Sequence, residues 1–232
     1  MDHLAGMEVD FHLGMIYLHQ GRTEEARRHY KAYEQMCKKL GLESALAIAY
    51  LYESLLMSLA GDQGSAMRLA EESKDIATRL ERAYLKAGST AMLSHAHFVA
   101  GDLDECRRLA NEAMAIADNF DRSLKTANIG LVRLASAEEA LVRKDWSEAE
   151  AMFKEAISTF QATAIGKLME ALSQKWYGEA LIEHRDAREA EAELKKANNI
   201  FLMLRNEAQS MECERALAKI SRSSNPRHSA RQ

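Results

Sequence analysis

Leu13-Gly14-Met15-Ile16-Tyr17-Leu18-His19-Gln20-Gly21-Arg22-Thr23-Glu24-Glu25-Ala26 joins two amphipathic stretches through one punctuated turn. A glycine inside a helix costs about 1 kcal/mol relative to alanine, so Gly21 reads as an end rather than an interior position. The same punctuation returns as Gly61-Asp62, Gly101-Asp102, Lys144-Asp145 and Arg185-Asp186, at steps of 40 to 43 residues. Each mark lies between stretches of about 16–20 residues, the length of an ordinary long helix. The expected unit is therefore a helical hairpin with a tight turn. A single hairpin cannot bury its apolar face alone, and stacking against its neighbours completes the core.

Composition agrees. The 232 residues include one proline, 11 glycines, 6% aromatic and 28% charged residues. Sheet-rich folds spend glycine and proline on turns and fill strands with aromatic and β-branched side chains. Here the strong helix formers Ala, Leu, Glu, Lys, Arg and Met dominate, which predicts an all-α protein. A hydrophobic fraction of 47% supports a sizeable core. No apolar run approaches the roughly 20 residues of a membrane span. The opening MDHLAGMEVDF lacks the basic and apolar regions of a signal peptide, so the cytoplasm is the expected location. A net charge of −4 and a pI near 6.1 give no electrostatic reason to bind nucleic acid or an acidic membrane.

Within this frame the residues resemble the tetratricopeptide repeat (TPR) family. Leu13-Gly14, Tyr17, Gly21, Ala26 and Tyr30 stand at that family's offsets in the first unit. Tyr177-Gly178, Leu181, Arg185-Asp186, Ala190, Leu194 and Ala197 do so in the fifth. The fourth carries Ala137, Ala140, Asp145-Trp146, Ala149, Phe153 and Ala156. The second and third follow more loosely, with Ser54, Gly61-Asp62, Ala66 and Ala70, then Leu93, Ser94, Gly101-Asp102, Cys106, Ala110 and Ala113. The family's usual repeat is 34 residues and ends in proline; this one is longer and has no proline at its junctions. That long-repeat variant is similar to the helical-repeat regions of bacterial signal-transduction ATPases, of maltose-regulator-like activators and of LGN-type scaffold proteins. The resemblance implies a right-handed superhelical solenoid over residues 1–221. Its hairpins would run about 3–41, 42–81, 82–121, 122–162 and 163–205, with a capping helix at 207–221 and a mobile tail at 222–232.

The ends differ. In the first helix Leu4, Met7, Val9, Phe11, Leu13, Met15, Ile16, Tyr17 and Leu18 wrap most of the circumference, so it is expected to be covered on both flanks. An upstream domain or a homodimer through this helix would supply that cover. The last helix places Met211, Cys213, Leu217 and Ile220 toward one side and charges opposite, as a solvated cap should. Beyond it, Arg222, Arg227 and Arg231 sit in a segment with nothing large and apolar to anchor it, and the sole proline, Pro226, lies within it.

Catalytic signatures are not found. GxxxxGK[ST], GxGxxG after a strand, GxSxG and HExxH are all missing, so no enzyme, cofactor or metal is expected. Cys37, Cys106 and Cys213 form no CxxC pair and no disulfide framework, and Cys106, standing where neighbouring repeats carry alanine, reads as a small buried hydrophobe. His95 and His97 point about 200° apart on a helix and cannot share a metal. Glu24-Glu25, Glu71-Glu72 and Glu138-Glu139 read as solvated carboxylates near helix starts or on polar faces.

In this repeat family the first helix of each hairpin lines the concave face. By position the resemblance implies Phe11, His12, Met15 and His19; Leu51, Tyr52 and Leu55; Met92, His95 and Phe98; Leu134 and Glu138; and Lys175, Trp176 and Glu179. Residues at this spacing also form core between neighbouring hairpins. Lys175 suits a clamp for a terminal carboxylate, but Leu134 and Glu138 oppose it in the neighbouring unit. An apolar segment such as an amphipathic helix suits Leu51, Leu55 and Phe98 better. The expected function is a protein- or peptide-binding module, the C-terminal part of a signalling or regulatory protein. Two alternatives stand beside it: a small-molecule effector sensor, and a structural self-association unit.

Overall fold

The computed structural model describes residues 3–121, 126–163, 166–184 and 186–223. Among the described residues there are eleven α-helices and no strand. They are α1 (His3–His19), α2 (Thr23–Leu40), α3 (Glu43–Leu59), α4 (Gln63–Arg79), α5 (Ala83–Ala100), α6 (Leu103–Ala117), α7 (Ala127–Val142), α8 (Trp146–Gln161), α9 (Lys167–Glu183), α10 (Ala187–Leu204) and α11 (Glu207–Ser223). Consecutive helices pack in pairs, α1 on α2 through α9 on α10, with α11 against α10. The chain is an all-α solenoid of helical hairpins. No helix among the described residues is long and apolar enough to cross a membrane.

The recurring turn has a double cause. Gly21, Gly61 and Gly101 adopt φ of +69°, +83° and +83°, the left-handed conformation that ends a helix and that L side chains resist. Asp62, Asp102, Asp145 and Asp186 then cap the next helix, each side chain accepting the backbone N–H three residues on. A cap of this kind is worth about 1 kcal/mol. In the first turn Arg22 stands where the others carry Asp. Its guanidinium pairs with Glu25 at 2.6 Å and lies over the Tyr17 ring, 4.5 Å from the centroid. Arg185, beside the last of these caps, lies outside the described residues.

Small residues bring paired helices together. A Cβ on Gly14 would stand 2.8 Å from the Tyr30 ring. Where the first helix carries serine instead, the hydroxyl bonds the facing backbone: Ser54 Oγ donates to the Ala66 carbonyl at 2.8 Å, and Ser94 Oγ to that of Cys106 at 2.9 Å. Each hydroxyl is thereby satisfied in a fully buried contact.

The two kinds of helix have different surroundings. The outer helices α2, α4, α6, α8 and α10 are two-faced, with one apolar stripe. The inner helices α3, α5, α7 and α9 pack on their own hairpin partners and on adjacent hairpins, and they are buried on almost every side. This corrects the expectation for one acid pair: Glu138 and Glu139 are buried rather than solvated, because α7 lies between α5, α6 and α8. On the first helix Val9 and Ile16 are exposed at 55% and 49%, the apolar surface for which cover is expected. At the other end Cys213 and Ile220 are buried as expected, but Met211 faces solvent, 51% exposed. α11 reaches Ser223, and Pro226, Arg227 and Arg231 of the expected tail lie outside the described residues.

Candidate functional site

The inner helices meet around one apolar cleft with an interior of about 50 Å³. Leu18 and His19 reach it from the last turn of α1, Leu51, Tyr52 and Leu55 from mid-α3, and Met92 from α5. Ala127 and Leu131 come from the start of α7, Phe160 from the end of α8, and Gly166, Leu168 and Met169 from the start of α9. Leu51 and Leu55 share a helix face because they are four residues apart. Burial lowers the His19 pKa, so its imidazole is held neutral, and burial raises that of the Tyr52 phenol. The cleft thus offers shape and apolar surface, with two uncharged polar groups.

His19 of this lining also joins a contact between remote parts of the chain. Asn206, at the α10–α11 junction, donates its Nδ2 to the His19 carbonyl at 3.1 Å. The same side chain caps α11, its Oδ1 accepting from the Gln209 N–H at 3.2 Å. The turn of the first hairpin and the junction after the fifth therefore touch.

Further along the same inner faces a polar cluster is buried. His95 of α5 donates from Nδ1 to Glu138 Oε1 of α7 at 2.6 Å, and its ring lies 4.6 Å from that of Trp176 of α9. The other Glu138 oxygen is buried and makes no hydrogen bond among the described residues. Lys175 is engaged elsewhere: its Nζ donates to Gln209 Oε1 at 2.8 Å and to Glu212, tying α9 to α11. Glu179 is partly buried, and desolvation raises its carboxyl pKa. Among the described residues no three His, Cys, Asp or Glu side chains gather to hold a metal ion.

The expected concave residues thus divide. His19, Leu51, Tyr52, Leu55 and Met92 line the cleft, and His95, Glu138 and Trp176 form the buried cluster. Phe11 packs on Tyr33 and Tyr52, with ring centroids 4.9 and 5.5 Å apart, while Met15 and Leu134 are core. His12 faces solvent beside Glu8, and Phe98 is half-buried away from the cleft lining. Leu18, Leu131, Phe160, Leu168 and Met169 were not among the expected set. A transfer by equal position in every hairpin selects residues at one level, whereas a superhelix climbs. The cleft therefore samples the end of α1 but the beginnings of α7 and α9. The adjacent pair Leu168-Met169 at the start of an inner helix was the available signal.

Two solved structures share this architecture. One is a Rap protein complexed with competence and sporulation factor, at 15% identity and a TM-score of 0.60, covering 96% of this chain. The chain spans 65% of that protein's length. The other is BtubC (BKLC) from P. vanneervenii, at 18% identity and a TM-score of 0.51, covering 100% of this chain and 98% of that one. No protein-family model and no curated protein sequence matches the chain. At such identities the likeness establishes a helical-repeat fold, and function has to be argued from the site.

Proposed function

We propose that this chain is a tetratricopeptide-like module of a signalling or regulatory system that binds a protein or peptide through the inner face of its solenoid. The observation that carries this reading is the convergence of α1, α3, α5, α7 and α9 on one apolar cleft. An interior of about 50 Å³ suits a single small apolar side chain rather than a whole ligand. The rest of the partner then lies along the adjoining inner faces, where half-buried Tyr52 and Trp176 give large, rigid contact surfaces. An amphipathic helix or extended segment with one aliphatic anchor meets these conditions. A Rap protein of the same fold in complex with competence and sporulation factor supports a binding role. A polar effector such as a sugar fits less well, because Leu, Met and Phe occupy the positions where it would need donors and acceptors.

The test is selection of binders from a random peptide display, followed by titration against Met169→Arg and Tyr52→Ala variants. Each variant is first checked for an unchanged helical circular dichroism spectrum. Loss of affinity in variants that remain folded is the expected result. Equal affinity for all three proteins would remove the cleft from the binding site.

A further inference from the structure

Most helices of this chain neutralise their own charges. Arg68 pairs with Glu72, Arg108 with Glu105 and Glu112, Lys154 with Glu150, and Lys195 with Glu191, each about one turn apart. α11 departs from this habit. Its exposed Glu207, Glu214, Arg215 and Arg222 form no ion pair among the described residues. At 100° per residue all four share the solvent side of α11 with Met211 and Ala218, while Cys213, Ala216 and Ile220 face the fold. Met211 and Leu202, the latter 58% exposed, line one open groove of about 390 Å³.

Ala218 also has a place in the repeat. Gly14, Ser54, Ser94, Ala137 and Gly178 recur at 40 to 43 residues, and each is buried in the first helix of a hairpin. Ala218 stands the same 40 residues beyond Gly178, and it is exposed. α11 thus carries the small residue of a hairpin's first helix with no second helix against it among the described residues.

We infer that a second copy of this chain packs on this face, with the two α11 helices pairing antiparallel about a twofold axis that passes between Glu214 and Arg215. That axis sets Met211 against the partner's Ala218, large against small. It also sets Glu207 against the partner's Arg222, and Glu214 against the partner's Arg215. Symmetry makes every pair occur twice. Moving the axis by half a residue places Glu214 on the partner's Glu214, or Arg215 on the partner's Arg215, so charge fixes the register. Leu202 flanks the end of the contact and extends its apolar part. A single helix pair buries less than the roughly 1,200 Å² of a stable complex, so the dimer is weak and reversible. It is independent of what the cleft binds.

Sedimentation velocity of the full chain over a wide concentration range tests this, and a concentration-dependent monomer–dimer equilibrium is expected. Arg215→Glu converts two attractive pairs into repulsive ones and should raise the dissociation constant about tenfold. The double variant Glu214→Arg/Arg215→Glu restores both pairs and should restore the dimer. Because these positions are exposed, circular dichroism should show all variants equally folded. A monomer at every concentration, a dimer indifferent to Arg215→Glu, or a double variant as weak as the single one would each overturn the inference.

Discussion

Asn206 donates its side-chain amide to the backbone carbonyl of His19, 187 residues earlier in the chain, and caps α11 with the oxygen of the same group. Gly21 lies directly beneath: a Cβ there would stand 2.5 Å from Asn206 Oδ1, at a φ of +69°. One buried amide thus serves a helix cap and the contact between the first and last hairpins.

Replacing it should therefore cost more than an ordinary cap. Asn206→Ala is expected to destabilise the fold by about 2–3 kcal/mol, adding the loss of a cap to that of a buried hydrogen bond. Gly21→Ala should also destabilise, through both its φ and the clash. In an Asn206→Ala background only the φ cost of Gly21→Ala should remain. Urea denaturation of the two single variants and the double variant measures this coupling.

His95 and Glu138 form a second coupled pair. His95→Phe removes the donor and leaves a buried carboxylate without a partner, at an expected cost of about 3–5 kcal/mol. His95→Phe/Glu138→Met, which takes away the charge as well, should recover a large part of that loss. If the double variant is as unstable as the sum of the singles, the two side chains do not act as a unit.

Glu53 predicts a pH dependence. It is buried beside Glu34 in a pocket of about 70 Å³ whose lining also includes Arg27, Lys31 and Arg68. Desolvation, reinforced by the Glu34 charge, raises its pKa to about 7. The folded state therefore keeps a proton that the unfolded chain releases near pH 4.3. The stability this contributes is complete below that value and is lost as pH rises through about 7. Glu53→Gln, neutral throughout, should be more stable than the parent by about 1–3 kcal/mol at pH 8 and equal to it at pH 4. Thermal melts of both proteins at the two pH values decide the matter.

The three cysteines should be inert in the folded protein. All are buried and free, and burial lifts the Cys106 thiol to about 11 and the Cys213 thiol to about 12. Thiolate is the reactive form, so a disulfide reagent at neutral pH should label them only through unfolding. Labelling kinetics with and without denaturant give the comparison. Rapid modification of any one in native buffer would contradict its burial.

Much of the fold can be read from residues whose cause is local. The Gly-Asp marks are legible because left-handed φ and helix capping are each a demand on one or two residues. Ser54 and Ser94 could be placed in the repeat without the hydroxyl bonds that make serine workable there being visible. The cleft was only partly legible: Leu51, Tyr52, Leu55 and Met92 follow from position, but Leu131, Leu168 and Met169 depend on the rise of the superhelix. That rise is the sum of small rotations at every junction, and no single residue encodes it. The same holds for Asn206 and His19. Glu138 and Glu139 failed for a related reason, since a helix enclosed on all sides buries even its polar positions.

The Asn206–His19 bond also bears on how this protein comes apart. An open array of repeats melts from its tips, each terminal unit fraying at the cost of one interface. Here one hydrogen bond joins the first turn to the last junction, so loosening either end removes it from both. Amide exchange at the end of α1 and the start of α11 should therefore quicken together in an Asn206→Ala variant, while α5 is unaffected. The cost falls on assembly: a contact spanning 187 residues must close a long loop before it contributes anything.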